Sequence, residues 1–323
     1  MPSPICRLIH ISDPHFGPQF VIDGESYWRS VIARIPGISH LTGLYPHSYQ
    51  WAGALAVAVR TILRDSREAG IPATVVHTGD LTASGRQAEF SVGRTFLSHG
   101  HYLENGEISG LRLDTEFHQL PFDIPGNHDF WHGSSPKDRN AFDSHYGGAY
   151  PRTKVIENAN GKVILYGLDS NRSSKWQHRL ANGEIPAEAL SSVCDGLHNH
   201  KASGAIQVVC LHHPLFLRPR TVPRMARKEI LQLKNRTAIA RQLADCGAQI
   251  ALAGHVHRQQ HPFRGRSKPL HFIAGSACQI RTRPSFWTLD VFQKYVEYAY
   301  FQIPRWGLQF VPAISRSGAS NYR

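Results

Sequence analysis

Ile5-Cys6-Arg7-Leu8-Ile9-His10-Ile11-Ser12-Asp13-Pro14-His15 is the stretch from which the rest of the chain can be read. Its first seven residues, Ile5 to Ile11, are mostly aliphatic and of the right length for one buried strand. Asp13 and His15 lie just past the strand end, two residues apart, so an extended backbone would turn both side chains the same way. Binding groups of open α/β sheets collect at the carboxyl ends of strands. A strand running out into Asp-x-His is therefore the unit to seek elsewhere.

Four comparable units follow. Gly79-Asp80 closes a strand from Ala73 to Thr78, and Gly126-Asn127-His128-Asp129 closes one from Leu120 to Ile124. His212-His213-Pro214 follows Ile206 to Leu211, and Gly254-His255-Val256-His257 follows Gln249 to Leu252. A further strand fits Val163 to Leu168. Between them the spacing predicts a helix over Trp51 to Ala69, stopped by Gly70 and Pro72, and one from about Gly85, with Ser84 as N-cap and Gln87 completing a capping box. Others are expected from Pro136 after Ser135, over Pro186 to His200 and over Arg236 to Cys246. Alternating strands and helices argue for an α/β layered fold. From Leu270 the pattern turns to strands alone, over Leu270 to Ala274, Phe286 to Phe292 and Tyr295 to Phe301, with a hairpin at Gln293-Lys294.

The 323 residues, 41% hydrophobic and 19% charged, suit one catalytic domain over 1–312 and exclude wholesale disorder. Segment 16–50 has no clear period and holds Pro36, Gly37, Gly43 and Pro46 among large apolar residues, so it reads as an insertion that caps the site. Residues 313–323 read as a flexible tail, Ser315 to Arg323 being small, polar and basic. No apolar run approaches the roughly 18 residues of a membrane span, and Met1 to Ile5 does not resemble a secretory leader, so the expected location is cytoplasmic. The five scattered cysteines, Cys6, Cys194, Cys210, Cys246 and Cys278, read as reduced and inert, with no C-x-x-C pair to support a thiolate zinc site.

A net charge of +12 favours an anionic partner, although a basic surface can also serve only solubility. Twenty histidines, several beside Asp, Asn or Gly, point to metal. Mixed Asp, His and Asn donors suit Zn, Mn or Fe better than an all-oxygen Ca site. Taken alone, each block has a bland account: a strand end, a turn, or a buried histidine satisfied by its neighbours. Five in order, each at a strand end, do not.

Together the blocks resemble the pattern of the calcineurin-like metallophosphoesterase family, over residues 13 to 257. The resemblance implies a layered sandwich of two mixed β-sheets flanked by helices, holding two divalent metal ions. It implies Asp13, His15 and His257 at the first ion, Asn127, His212 and His255 at the second, and Asp80 bridging both. His128 would sit over the substrate phosphate, with Asp129 holding its ring. Hydroxide held between the cations would attack phosphorus, and the activity implied is that of a phosphodiesterase for small or lipid-linked diesters, a cyclic nucleotide type included. Pro14 departs from the apolar residue, usually Leu, found in relatives, which bears on packing more than on ligation.

Asn171, Arg172 and His213 are candidate substrate contacts; the turn Gly167-Leu168-Asp169-Ser170-Asn171 is equally well a structural one. Basic clusters at Arg218, Arg220, Arg224, Arg227 and Lys228, and at Arg258, Arg264, Arg266 and Lys268, would form an electropositive funnel or a solvated face. Residues 32–51 resemble an insertion of bacterial phosphodiesterases of the family, and a packing loop accounts for them as well. The charge keeps peripheral contact with acidic lipid or nucleic acid open, and with it a nuclease activity. A binding scaffold that has lost catalysis is the non-enzymatic alternative, although none of the seven ligand positions is missing. The oligomeric state cannot be read from the sequence.

Overall fold

A computed structural model describes residues 2–17, 20–22, 25–26, 47–98, 101–103, 106–108, 110–111, 119–130, 136–147, 150–171, 182–217, 233–263, 269–279, 283–303 and 313–322. In chain order its strands are β1 (Cys6–Ile11), β2 (Phe20–Ile22), β3 (Glu25–Ser26), β4 (His47–Ser48), β5 (Ala73–His77), β6 (His101–Leu103), β7 (Gly106–Ile108), β8 (Gln119–Asp123) and β9 (Arg152–Asn158). They continue with β10 (Gly161–Gly167), β11 (Ile206–Cys210), β12 (Ile250–Ala253), β13 (Gln260–Phe263), β14 (Leu270–Ile273), β15 (Ser285–Val291), β16 (Tyr295–Gln302) and β17 (Ala313–Asn321). The helices are α1 (Tyr49–Glu68), α2 (Gln87–Ser98), α3 (Pro136–Tyr146), α4 (Ala187–Lys201) and α5 (Arg236–Cys246).

Two six-stranded mixed sheets carry the fold, in the orders β17-β16-β15-β1-β5-β8 and β13-β14-β12-β11-β10-β9. In the first, β1, β5 and β8 run parallel; in the second, β10, β11, β12 and β14 do. The inner strands β1, β5, β11 and β12 are buried along almost their whole length, which explains their nearly unbroken apolar sequences. The period of two sorts side chains between layers: Cys6 and Leu8 of β1 face the other sheet, packing with Val163, Leu165, Val208, Leu252 and Trp287, while Ile9 and Ile11 face α1. Ile164, Val209 and Ala251 face the opposite way, onto Leu190, Val193 and Leu197 of α4 and Ile239 and Leu243 of α5. The result is the expected sandwich of two mixed sheets flanked by helices.

Helix α1 lays Ala52, Leu55, Ala56, Val59 and Leu63 on the first sheet and stops before Gly70, whose φ of +66° favours glycine. Helix α2 starts later than the spacing suggests, because Gly85 turns left-handed at φ +67° and Ser84 does not cap it. Instead the buried Glu89 carboxylate accepts hydrogen bonds from the backbone N–H of Ser84 (2.8 Å) and Arg86 (3.2 Å) and from the Ser84 hydroxyl (2.8 Å).

The expected tail is the largest departure in the fold. Residues 313–321 form β17, paired antiparallel along β16 from Tyr295↔Asn321 to Gln302↔Ala313. Small residues suit this edge because the Tyr298 ring lies over Gly318, where an added Cβ would meet the phenol oxygen at 2.6 Å. Tyr322, buried, joins the layer between the sheets. No helix among the described residues is long and apolar enough to cross a membrane, and all five cysteines are free thiols.

Candidate metal centre

All seven proposed ligands fall on loops leaving strand ends: Asp13 and His15 after β1, Asp80 after β5, Asn127 after β8, His212 after β11, and His255 and His257 after β12. They are brought together, but not by extended backbone. Asp13, His15, Asp80, His255 and His257 all have positive φ, between 50° and 73°, and among the described residues Asn235 is the only other non-glycine to do so. Left-handed geometry is uncommon for such residues and persists where the surrounding structure enforces it. The two-residue spacing of Asp13 and His15 thus works through left-handed backbone at both residues rather than through an extended run.

Glycine makes the turns fit. A Cβ on Gly126 would collide with the Asp80 carboxylate, and one on Gly254 with the Ser12 hydroxyl. The close approach of these loops requires a residue without a side chain.

The donor atoms form two groups sharing one carboxylate. In the first, His15 Nε2 and His257 Nε2 lie 2.9 Å apart, and His257 Nε2 is 3.3 Å from Asp13 Oδ1. In the second, His212 Nε2 is 3.1 Å from Asn127 Oδ1 and 3.1 Å from His255 Nδ1. Asp80 Oδ2 lies between them, 3.4 Å from His15 Nε2 and 3.3 Å from His212 Nε2. Its other oxygen accepts the backbone N–H of His128 at 2.8 Å, which fixes the carboxylate's orientation. The Asp13 carboxylate is fixed likewise by the N–H of His255, at 3.0 and 3.2 Å, and the Thr78 carbonyl accepts His212 Nδ1–H at 2.7 Å.

The electrostatics leave His15, His255 and Asp80 with open lone pairs, and His212 with a proton that a cation would have to displace. Burial, with His128 alongside, holds the His15 pKa well below its usual value, and burial beside His213 does the same to His255. Burial would raise the Asp80 pKa, but His212, His128 and His15 outweigh it and keep the carboxyl ionised. His212 goes the other way: burial lowers its pKa, Asp80 outweighs that, and it is pushed up to about 9. Facing imidazole nitrogens and a shared carboxylate oxygen, closely spaced and buried, fit a pair of divalent cations; Asp13, His15, Asp80 and His257 could hold one, and Asp80, His212 and His255 the other.

Exposure shows which side opens to solvent. Asn127, His128, His255 and His257 are 6–8% exposed, whereas Asp13, His15 and His212 are at 0%. His128 lies on that more open side with Asn127, His255 and His257, its ring edge-on to His15 and 4.5 Å between centroids.

Three expected roles change. The His128 ring is held not by Asp129 but by the Ala83 carbonyl, which accepts from Nδ1 at 2.9 Å. Asp129 instead ties two ligand loops together, accepting from the Thr82 N–H and hydroxyl (2.9 and 2.8 Å), the Gly126 N–H (2.9 Å) and the Tyr146 hydroxyl (2.9 Å). Asn171 is no phosphate donor: its amide hydrogens go to the Pro125 carbonyl (2.7 Å) and Asp169 (3.0 Å), clamping the loop before Asn127. His213 is fully buried, with Nδ1 2.9 Å from the Ser170 hydroxyl and its ring 4.4 Å from that of His255, so it supports a ligand rather than meeting substrate. Arg172, the basic cluster from Arg218 to Lys228, and Arg264, Arg266 and Lys268 lie outside the described residues.

Sequence reasoning missed a buried chain behind the site, where Asp123 bonds His77 Nδ1 and His145 Nε2, each at 2.6 Å. It also missed His47, which reaches the first donor group from within the segment read as an insertion.

Paired sheets with a two-centre Asp/His/Asn cluster at their strand ends define the class of metal-dependent phosphoesterases. The chain belongs to the calcineurin-like phosphoesterase family, whose model matches residues 6–259. Among solved structures, a dimetal phosphatase from Danio rerio is similar with a TM-score of 0.61 and 14% identity, over 99% of this chain and 100% of that one. PhoD is similar with a TM-score of 0.57 and 10% identity, over 100% of this chain and 72% of that one. At such identities the likeness is one of fold. No curated protein matches the chain in sequence.

Proposed function

We propose that the chain is a binuclear phosphodiesterase that hydrolyses small or lipid-linked phosphodiesters, with Asp13, His15 and His257 at one cation, Asn127, His212 and His255 at the other, and Asp80 between them. The observation that carries the reading is the placement of Asp80 Oδ2, 3.4 and 3.3 Å from a histidine nitrogen of each group. Two bound divalent ions, Mn, Fe or Zn, would supply acidity to a water and neutralise charge on the phosphoryl oxygens.

The protein's own residues do the rest. His128 on the more open side, with Nδ1–H committed to Ala83, exchanges any proton with substrate at Nε2; as imidazolium it donates to a non-bridging oxygen or to the leaving alkoxide. Asp13 and Asp80, each oriented by a backbone N–H, hold their negative charge in place without reorganisation. The diester preference rests on the resemblance of residues 32–51 to the insertion of bacterial phosphodiesterases, and the cytoplasmic location on the reduced, mostly buried cysteines.

The test is hydrolysis of bis(p-nitrophenyl) phosphate with added Mn, against p-nitrophenyl phosphate. Turnover of the diester should fall by three orders of magnitude or more in Asp80→Ala and Asn127→Ala. Activity surviving both changes sinks the reading, and a preference for the monoester sinks its diester part. The +12 charge favours a nuclease as the second reading, for which nicking of plasmid DNA is the discriminating result.

A further inference from the structure

His47 is fully buried on β4, at the last described segment before α1, and belongs to none of the blocks that gave the family resemblance. Its ring centroid lies 4.9 Å from that of His15 and 6.1 Å from that of His257. Ligand nitrogens of His15, His47 and His257 all lie within 4.8 Å of one another. One cation bonded to imidazole nitrogen at about 2.0–2.1 Å needs donors no more than about 4.2 Å apart, so the three imidazoles must draw together slightly, and Asp13 and Asp80, which group with His15 and His257 but not with His47, must close on it as well.

The position is built rather than incidental. His47 bridges antiparallel to Gln279, the Ser48 N–H donates to the Cys278 carbonyl at 3.1 Å, and His47 Nε2 lies 3.4 Å from the Ser276 hydroxyl. That hydroxyl donates to the Asp13 carbonyl at 2.8 Å and so joins His47 to a ligand loop. A residue meant for substrate would share the exposure of His128; His47 has none.

We propose that His47 supplies a third imidazole to the first cation, beside His15 and His257. The first site would then be richer in nitrogen than the second, which has Asn127 Oδ1 beside two histidines. It would prefer Zn, Fe or Co to Mg, and its occupation would fasten the end of the 16–50 segment to the core. This rests on the binuclear reading above.

The test uses metal-free full-length protein titrated with Co(II), following visible absorption and binding heat, for the parent, His47→Ala, His47→Gln and Asp80→Asn. Circular dichroism and thermal unfolding of the metal-free forms establish folding, and the Gln variant decides if the Ala variant does not fold. The expected result is two ions in the parent, with one of them weakened in both His47 variants by at least the 10–100-fold typical of losing even an outer-sphere partner, and with a changed Co(II) spectrum. Unchanged affinity and spectrum in the His47 variants, with Asp80→Asn impaired, overturn the proposal and leave the binuclear reading standing. A fall in turnover with metal binding intact also overturns it, because His47 would then serve substrate. A parent that fails to take two ions overturns both.

Discussion

Replacing Asp129 by Asn separates two accounts of that residue. If it served only to orient the His128 ring, the change would slow catalysis and leave folding alone. In the structure its Oδ1 accepts two hydrogen bonds from Thr82 and its Oδ2 accepts from Gly126 N–H and Tyr146 hydroxyl. An amide in the same place turns one acceptor into a donor, so either orientation sets NH2 against a fixed backbone N–H, of Thr82 or of Gly126, and forces the hydroxyl beside it to reverse. Hydrogen bonds to a charged group contribute about 1.5–3 kcal/mol each, and a stranded buried donor costs about 1–3 kcal/mol. Against this stands relief of a buried charge: burial, then the Asp80 carboxylate, raise the Asp129 pKa. The balance is a loss of about 3 kcal/mol, a large share of the roughly 5–15 kcal/mol that holds a domain together. At about 1.5 °C per kcal/mol for a chain of this length the melting temperature should fall by about 4–5 °C. Thermal unfolding should be followed on metal-free protein, with His128→Gln, which disturbs one hydrogen bond to the Ala83 carbonyl rather than four, melting closer to the parent. Asp129→Asn melting within a degree of the parent, with turnover reduced as in His128→Gln, would refute the reasoning.

Two further outcomes follow from buried contacts. Burial lowers the His77 pKa but Asp123 outweighs it and raises it, while the two histidines overcome burial at Asp123 and hold that carboxyl far below its usual range. A raised histidine pKa gives stability that is full below about pH 6.5 and lost as pH rises through the folded value; a lowered carboxyl pKa gives stability present above about pH 3.9 and lost in stronger acid. Urea midpoints of the parent and Asp123→Asn should therefore differ most between about pH 4 and 6.5 and converge toward pH 9, and a difference constant with pH counts against the pair. Gly126→Ala should push the Asp80 carboxylate aside, since the new methyl collides with it; metal affinity by titration should drop at least about 10-fold, and parent-like affinity would show that the loops can separate without harm.

The ends of β1, β5, β11 and β12 were legible because each pairs a buried apolar run with a chemically distinctive exit, and the end of the edge strand β8 chiefly by its exit, Gly126-Asn127-His128-Asp129. Arg236–Cys246 was read to the residue, and Asn235 and Gly247, both at positive φ, mark its ends. Edge strands left a weaker signal. Of the seven residues of β9, Arg152–Asn158, only Ile156 is buried, so no apolar pattern announced the strand and the sequence reading left it out; it forms by pairing along β10. β17 is made mostly of small residues with no apolar alternation and is a strand because β16 offers an open edge. The donors' identities were visible, but their left-handed backbone was not, since Asp and His carry no mark of it as glycine does. The roles of Asp129 and Asn171 were misjudged because nearness in sequence to a ligand says nothing about which loop a side chain turns toward. His47 sits in an aperiodic stretch, where no pattern distinguishes it from Tyr45 or Tyr49.

The two sheets contribute unequally to the donors but jointly to each group. Asp13, His15, Asp80 and Asn127 leave the first sheet, and His212, His255 and His257 leave the second, so both donor groups straddle the seam. The gap that the donors span is thus set by the apolar layer between the sheets, where Leu8, Leu252, Phe272 and Trp287 pack. That layer acts as a gauge block, and a pair of ions seated above it would be rivets through both plates. Side chains remote from any reacting atom thereby hold the tolerance of the joint, and thinning the layer would alter the span at the site as surely as exchanging a donor.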